Sequence, residues 1–354
     1  MPELHPISLG PLPRTPRVSV LISNYNYGDY IGEAIQSTLE QTYQNFELIV
    51  CDDGSTDNSL ETIDYYATHD NRIRVIPKAN GGQASGFNAA FSISTGDIIC
   101  LLDSDDVYAS EKLQEVVGAA QANPNAGFIV HRVVTVNQRR RRQGVLPLSA
   151  HLPDGWFGDE LLKEAGIVPF MPPTSGLALR REVAAALFPL PVTGSLGACP
   201  DQVIMRLAPC ITCIAGIDKP LAEYRLHGKN AYATARLTAK SVERELTLNN
   251  QLWRAQKKFL EGIDPQLSAR LEPAEKTAYG LLLRYIHSRL AQLSGTRAWH
   301  AAYLKALAQN WRTAHQWFWR RSLWLPGPVF AIAVNLLMRQ NRLKQIVAHL
   351  KGFL

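Results

Sequence analysis

The sequence predicts an α/β fold, a mostly parallel sheet flanked by helices, followed by a C-terminal helical extension. Three observations predict it. Short apolar β-branched runs alternate with segments of helical period four times between residues 18 and 122. The composition is globular, with 46% of the 354 residues hydrophobic and 19% charged. Beyond residue 230 the pattern is almost wholly helical, with period 3.6 over 246–260 and again over 281–293. A chain of this length has room for about two domains.

The elements follow in order. Residues 1–16 are rich in proline and read as a disordered lead-in. Val18–Ile22 is a buried strand, and Ile31, Ala34, Ile35, Thr38 and Leu39 then recur at helical spacing. Phe46–Val50 is a strand, Leu60–Ala67 a helix, Ile73–Ile76 a strand and Ala84–Ile93 a helix. Asp97–Leu102 and Glu111–Ala122 complete the fourth pair. Residues 127–230 are mixed, with a hairpin around Arg139–Arg142, a proline-rich turn at Pro169–Pro173 and a helix at Asp201–Leu207. A boundary near 231 separates a catalytic domain, 17–230, with halves 17–125 and 126–230, from a helical extension, 231–354. No internal repeat is evident.

Composition excludes several classes. Five cysteines at irregular spacing are not a secreted disulfide framework and point to a reducing compartment. The N-terminus has no basic stretch followed by an apolar core, so no signal peptide is expected, and no unbroken run of 18 apolar residues is present. From Thr277 to Leu354 there is no Asp or Glu, but there are eleven Lys and Arg. That exceeds the net charge of +6, so residues 1–276 carry −5. An acidic body with a one-sign basic tail implies an anionic partner.

In parallel α/β sheets ligands bind beyond the carboxyl ends of the strands. Ser23-Asn24-Tyr25-Asn26-Tyr27 follows the first strand, Asp52-Asp53-Gly54-Ser55-Thr56-Asp57 the second, and Asp103-Ser104-Asp105-Asp106 the fourth. Clustered carboxylates repel unless a cation joins them. An isolated Asp-x-Asp means little. Its place at the end of a buried strand, beside another acidic strand end, gives it weight. The bland alternatives are a turn with helix capping by Ser55 or Asp57, and capping alone by Asp103–Asp106.

The segments VSVLISNYNYGDYIGEAIQSTLEQTYQNFELIVCDDGSTDNS, NGGQASGFNAAFSISTGDIICLLDSDD and LAEYRLHGKN resemble a family 2 glycosyltransferase of the GT-A fold, over about residues 17–230. The resemblance implies a Rossmann-like sheet and an inverting, metal-dependent transfer from a nucleotide-diphosphate sugar. It implies that Asn24, Tyr25 and Asp52 hold the nucleotide base and that Asp103 lies near the ribose. It also implies that Asp105, Asp106 and His227, the last from Tyr224-Arg225-Leu226-His227, meet a divalent ion. Oxygen ligands with one imidazole suit Mn²⁺ or Mg²⁺ better than a thiolate metal. As a bare residue, His227 is more often a satisfied core or surface histidine.

The acceptor hydroxyl needs a base, which the family supplies as an Asp at a helix head preceded by Glu. Cys199-Pro200-Asp201-Gln202 is the match here, with Pro in place of the Glu. Asp201 is also what an N-cap looks like. Trp156 and Phe157 are candidates to stack on an acceptor sugar, and Thr174, Ser175 and Gly176 to line its side. Arg139–Arg142 reads as a solvated tip or a contact for acceptor phosphates. Cys210-x-x-Cys213 lacks a partner pair for a metal site.

Five of the seven tryptophans (Trp299, Trp311, Trp317, Trp319 and Trp324) lie in the acid-free tail. Tryptophan with arginine beside the broken apolar stretch Leu323–Met338 is the composition of a segment lying on an anionic bilayer. An ordinary helical cap on the core is the alternative. The expected partners are therefore a sugar nucleotide, a glycan or lipid-linked acceptor and an anionic membrane surface, without nucleic acid. The expected place is the cytoplasm, at the inner face of the membrane, in bacterial surface polysaccharide assembly. Processivity is not expected. A dehydrogenase would want Gly-x-Gly-x-x-Gly after the first strand, and a dehalogenase-like phosphatase would want Asp where Cys51 stands. The rival from another class is a non-catalytic sugar-nucleotide-binding assembly subunit.

Overall fold

The computed structural model describes residues 3–276, except 148, 150, 164–167, 169–170, 228–229 and 231–238, together with 283, 284 and 287. The basic stretch 277–354, with its tryptophans and the helical period at 281–293, otherwise lies outside the described residues. The chain divides into two compact units. One comprises Leu4–Gly158 and Val168–Lys229, the other Met1–Glu3, Asp159–Ile167 and Asn230–Leu354.

The first unit opens with the alternation that the sequence predicts: β1 (Val18–Asn24), α1 (Gly28–Leu39), β2 (Phe46–Asp52), α2 (Ser59–His69), β3 (Ile73–Pro77), α3 (Gln83–Ile93) and β4 (Ile98–Asp103). Then come β5 (Val107–Tyr108), α4 (Lys112–Ala122), β6 (Ala126–Asn137) and β7 (Arg142–Leu146). After α5 (Gly158–Lys163), all of which but Gly158 belongs to the second unit, the first unit continues with a 3₁₀ turn at Thr174–Gly176, β8 (Leu177–Arg180), α6 (Arg181–Leu187), α7 (Gly194–Gly197), α8 (Pro200–Leu207) and β9 (Cys213–Leu226). The second unit contains α9 (Ala239–Ile263) and α10 (Pro265–Arg270). There Asp264 caps α10 by accepting from the Gln266 N–H (2.8 Å), and the Trp253 indole donates to the Glu272 carbonyl (2.8 Å).

The sheet order is β3-β2-β1-β4-β8-β6-β9-β5, with β7 paired to β6. β1 runs parallel to β2 and β4, and every residue of β1 and β2 is buried, as expected where helices cover both faces. α1 buries Ile31, Ala34, Ile35 and Thr38, and α4 buries Leu113, Val116, Val117 and Ala120, each a single stripe at i, i+3, i+4, i+7. Chain direction across the sheet reverses between β1 and β4, and register does the rest. Asn24 lies opposite Asp52 and Ser23 opposite Asp103, so three strands end level at the switch point.

The lead-in departs from the disorder expected of it. Residues 4–16 form no regular element but are tied to the body. Leu4 is buried, the Ile7 N–H donates to the Ile211 carbonyl (2.7 Å), and the Tyr43 hydroxyl donates to the Pro16 carbonyl (2.6 Å). Arg180 donates to the Gly10 carbonyl while the Gly10 N–H donates to Glu182 (3.0 Å). An extended proline-rich strand with no internal hydrogen bonds finds its partners in the domain it crosses.

At the opposite end of the sheet from the switch point, Gly96 leads into β4 with no room for a side chain. A Cβ there would lie 2.5 Å from the Ser19 nitrogen and 2.8 Å from the Arg17 carbonyl oxygen, both backbone atoms of or beside β1. Gly96→Ala should therefore destabilise the fold by about 1–3 kcal/mol, read as a lower urea midpoint at unchanged slope. An unchanged midpoint would show that the β1–β4 entry yields freely.

Candidate active site

The β1 end is organised by one triangle. The Asn24 amide donates to Asp52 Oδ2 (2.9 Å) and Ser55 Oγ (3.2 Å), and Ser55 donates its N–H to Asp52 Oδ1 (2.9 Å) and its hydroxyl to Oδ2 (2.7 Å). Asn24 and Asp52 are buried, and Tyr25 between the pinned loop ends is 46% exposed, leaving a ring face open for stacking. Asp53 is engaged elsewhere. It takes Lys78 Nζ (2.5 Å) and the N–H groups of Gly81 and Gly82 (3.0 and 2.7 Å), closing the loop that starts α3. Gly54 makes this turn at φ +81°, where a Cβ would lie 2.9 Å from the Asn80 nitrogen.

The β4 end carries the acids. Oxygens of Asp103, Asp105 and Asp106 all lie within 4.8 Å of one another, the one such cluster among the described residues. Asp103 takes Gln83 Nε2 on Oδ1 (2.6 Å) and a hydrogen bond from the Thr174 side chain. Asp105 Oδ2 meets His227 Nε2 at 2.8 Å, joining residues 122 apart in sequence. Asp106 has both oxygens occupied, Oδ2 by the Ser175 hydroxyl (2.6 Å) and Oδ1 by the Arg225 backbone N–H (2.9 Å). Burial first, then repulsion from Asp105, pushes the carboxyls of Asp103 and Asp106 well above the usual range. Asp201 adds to that pressure on Asp103.

His227 is held by aromatic stacking. Its ring lies parallel to Tyr30 (5.0 Å, 12°) and edge-on to Tyr27 (5.7 Å). Arg225 covers the Tyr30 ring at 5.0 Å, donates Nε to the Asp105 carbonyl (2.9 Å) and Nη2 to Glu33 (2.9 Å). The sequence pattern marks the Tyr-Arg-x-His run, but not that its arginine braces both the acids and the imidazole.

Asp201 sits in the first turn of α8, one residue after the N1 proline, and the N-cap position belongs to Cys199. The capping reading of Asp201 is therefore replaced by a half-buried carboxyl on the helix's first turn. Burial pushes it up to about 6, against the opposing first-turn N–H groups of Gln202 and Asp201 itself.

Other expected residues fall elsewhere. Thr174 and Ser175 are buried at 3% and 0% exposure, with their hydroxyls on Asp103 and Asp106, so they brace the acids and do not line an acceptor surface. Trp156 is not brought to the cluster. The register Ile99–Leu179–Phe128–Ile214–Gly155 sets the neighbouring Gly155 four strand spacings, about 19 Å, across the sheet from β4 and below its acidic rim. Cys210 and Cys213 form no disulfide, and the Cys210 thiol donates to the Arg206 carbonyl (3.4 Å).

Lys112 went unrecognised in the sequence, where it falls in the helix of Glu111–Ala122 without a role. It is fully buried beneath the acids, with Nζ donating to the Ser175 carbonyl (3.0 Å) and lying 3.4 Å above the Tyr108 ring. Burial pushes its ammonium down to about 7. No local pattern reveals it, because the contact spans 63 residues.

The donor set fits a hard divalent cation: carboxylate oxygens at close range and one imidazole. No thiol belongs to this cluster among the described residues.

Comparison with known proteins agrees with this geometry. The family described as "Glycosyl transferase family 2" matches residues 19–188. An uncharacterized glycosyltransferase of Nostoc sp. is 36% identical over 221 residues, 62% of this chain and 67% of that protein. The hyaluronan synthase of Pasteurella multocida is 44% identical over 104 residues, 29% of this chain but 11% of the synthase. Among solved structures, TarS of S. aureus in complex with UDP-GlcNAc has a TM-score of 0.52 at 18% identity, over 84% of this chain and 81% of TarS. The mannosyltransferase PcManGT of Pyrobaculum calidifontis, in complex with GDP-Man and Mn²⁺, has a TM-score of 0.51 at 18% identity, over 98% and 89%. The chain belongs to glycosyltransferase family 2, and its fold is the GT-A fold of these neighbours.

If the acids hold a cation, it should stabilise the folded chain. Mn²⁺ at a hundredfold its dissociation constant is worth about 2.7 kcal/mol, seen as a higher melting temperature that Asp105→Asn removes. A wild-type melting curve indifferent to Mn²⁺ and Mg²⁺ would count against the site.

Proposed function

We propose that this chain transfers a sugar from a nucleotide-diphosphate donor to a hydroxyl of a glycan or lipid-linked acceptor, by single displacement with inversion, in bacterial surface polysaccharide assembly. The observation that carries the reading is the meeting of Asp105 with His227 at the strand-end rim, beside Asp103 and Asp106. The structural neighbours named with UDP-GlcNAc and with GDP-Man and Mn²⁺ support a nucleotide-sugar donor, and the matching segment of hyaluronan synthase supports polysaccharide synthesis.

The Asn24–Asp52–Ser55 triangle presents fixed hydrogen-bonding groups for a base, with the open ring of Tyr25 beside it. Asp103, held by Gln83, lies next along the rim towards the ribose. Asp105 and His227, with Asp106 behind them, would hold Mn²⁺ or Mg²⁺. Such an ion neutralises charge on the departing diphosphate. Asp201 takes the proton from the acceptor hydroxyl as that oxygen attacks the sugar carbon. One base with no second nucleophile gives one displacement and therefore inversion.

A base must be unprotonated to act. With Asp201 at about 6, turnover should fall tenfold per pH unit below that value and level off above about 7. Metal-dependent release of nucleoside diphosphate from a panel of sugar nucleotides tests the whole reading. Asp201→Asn should cut turnover on the order of a hundredfold or more, and abolish the acid limb, with nucleotide affinity nearly intact. No release from any donor would favour a non-catalytic sugar-nucleotide-binding subunit, and unchanged turnover in the variant would remove Asp201 from the reaction.

We also propose that the basic, tryptophan-rich stretch beyond 276 attaches the protein to anionic membrane at the cytoplasmic face. Its eleven cations, at about 1 kcal/mol each close to an anionic leaflet, support this. No described helix is long and apolar enough to cross a membrane. The full chain should co-sediment with phosphatidylglycerol vesicles and a chain ending at 276 should not. Equal partitioning would defeat the proposal.

A further inference from the structure

The Arg139–Arg142 run is more than a solvated tip. β6 leaves the sheet at Asn137, whose strand partner is Leu226, the residue before His227, so the hairpin rises at the edge of the acid–imidazole cluster. The turn is built. Asn137 Oδ1 accepts the N–H groups of Arg139 and Arg141 (both 3.0 Å), and the Asn137 carbonyl accepts that of Arg140 (2.8 Å). Arg140 stands at φ +55°, where glycine or asparagine would be at ease.

What holds that strained residue is its side chain. Arg140 Nε donates to Glu223 (2.7 Å), and its guanidinium lies 3.6 Å from Glu33, which also receives Arg225. Both nearby carboxylates are therefore engaged by Arg140 and Arg225. Arg139, Arg141 and Arg142 are exposed, and no ion pair among the described residues involves them. Three guanidinium groups on a pinned turn, in a body of net negative charge, repel one another until an anion arrives. Planar forks of this kind match phosphate oxygens.

We infer that Arg139, Arg141 and Arg142 form a phosphate-binding subsite for the acceptor, so that the acceptor carries a phosphate or diphosphate group near the sugar that receives the transfer. The inference rests on the glycosyltransferase reading and narrows its acceptor. In that reading the donor diphosphate would meet the cation that the acids at the β4 end would hold, and this hairpin is a separate anion site on the β6–β9 side. Phosphate here orients the acceptor and takes no part in bond making.

The test uses the full chain with its donor site filled by UDP and diamagnetic Mg²⁺. Geranyl diphosphate, as a short soluble isoprenyl diphosphate, and glycerol 3-phosphate are titrated and followed by ³¹P resonance shifts. The triple variant Arg139→Gln/Arg141→Gln/Arg142→Gln, which keeps Arg140, should bind the preferred probe about tenfold more weakly than wild type. Its unchanged melting temperature verifies folding. Preference for geranyl diphosphate assigns a lipid-diphosphate source and preference for glycerol 3-phosphate a polyol-phosphate source. Equal affinity of variant and wild type overturns the inference, as does absence of binding of either probe to wild type. Loss of phosphatidylglycerol-vesicle binding in the variant, with both soluble probes bound as tightly as by wild type, also overturns it in favour of a membrane contact. Failure of the glycosyltransferase reading is scored separately, by whether wild type releases nucleoside diphosphate.

Discussion

Repulsion among carboxylates is the constraint around which this domain is arranged. Two full charges 4.8 Å apart cost about 3.5 kcal/mol at an effective dielectric of 20, and the cluster contains three such pairs with Asp201 bearing on it as well. Other neighbours reduce that cost. Gln83, Thr174, Ser175 and the Arg225 amide donate hydrogen bonds, and Lys112 lies beneath as a buried cation. Burial first, and then repulsion from Asp105, still holds the carboxyls of Asp103 and Asp106 well above the usual range.

The same contacts fasten the two halves of the first unit together. Asp106 accepts from the backbone of β9, and Asp105 accepts from the Arg225 side chain through its carbonyl and faces His227 through its carboxylate. Ser175 ties the 3₁₀ turn to Asp103 and Asp106 at once, donating to one and accepting from the other. The acidic loop is thus both crowded with like charge and cross-linked to the 3₁₀ turn and to β9. A substitution such as Ser175→Ala would disturb geometry and charge together.

The alternating half of the fold was legible because its signals are local. Val18–Ile22, Phe46–Val50 and Asp97–Leu102 are short β-branched runs, each followed by a helical stripe, and the strand-end acids lie directly after them. His227 was legible through a four-residue motif, and its convergence with Asp105 follows that expectation. Lys112, Thr174, Ser175 and Tyr30 were misjudged or unseen because their roles come from contacts between segments tens of residues apart. Trp156 was placed by composition alone. An aromatic pair in a loop looks like a sugar platform, but strand register decides where it stands, and register is written in pairings that no local window contains. The proline-rich lead-in looked disordered because its partners, Arg180, Glu182 and Ile211, lie at the far end of the domain sequence.

The pairing of Asp105 with His227 has a consequence for how the protein is made. The parallel strands β1 to β4 are complete in sequence by residue 103, so a nascent chain can bring Asn24, Asp52 and Asp103 to one rim early in synthesis. The imidazole arrives only with the last residues of the domain, after β9 has been laid against β6. Ribosome-bound fragments ending before that strand would hold three crowded aspartates with neither the Arg225 amide nor the ring to quiet them. The acid–imidazole pairing is therefore acquired late and in one step, once the chain has been made past residue 227.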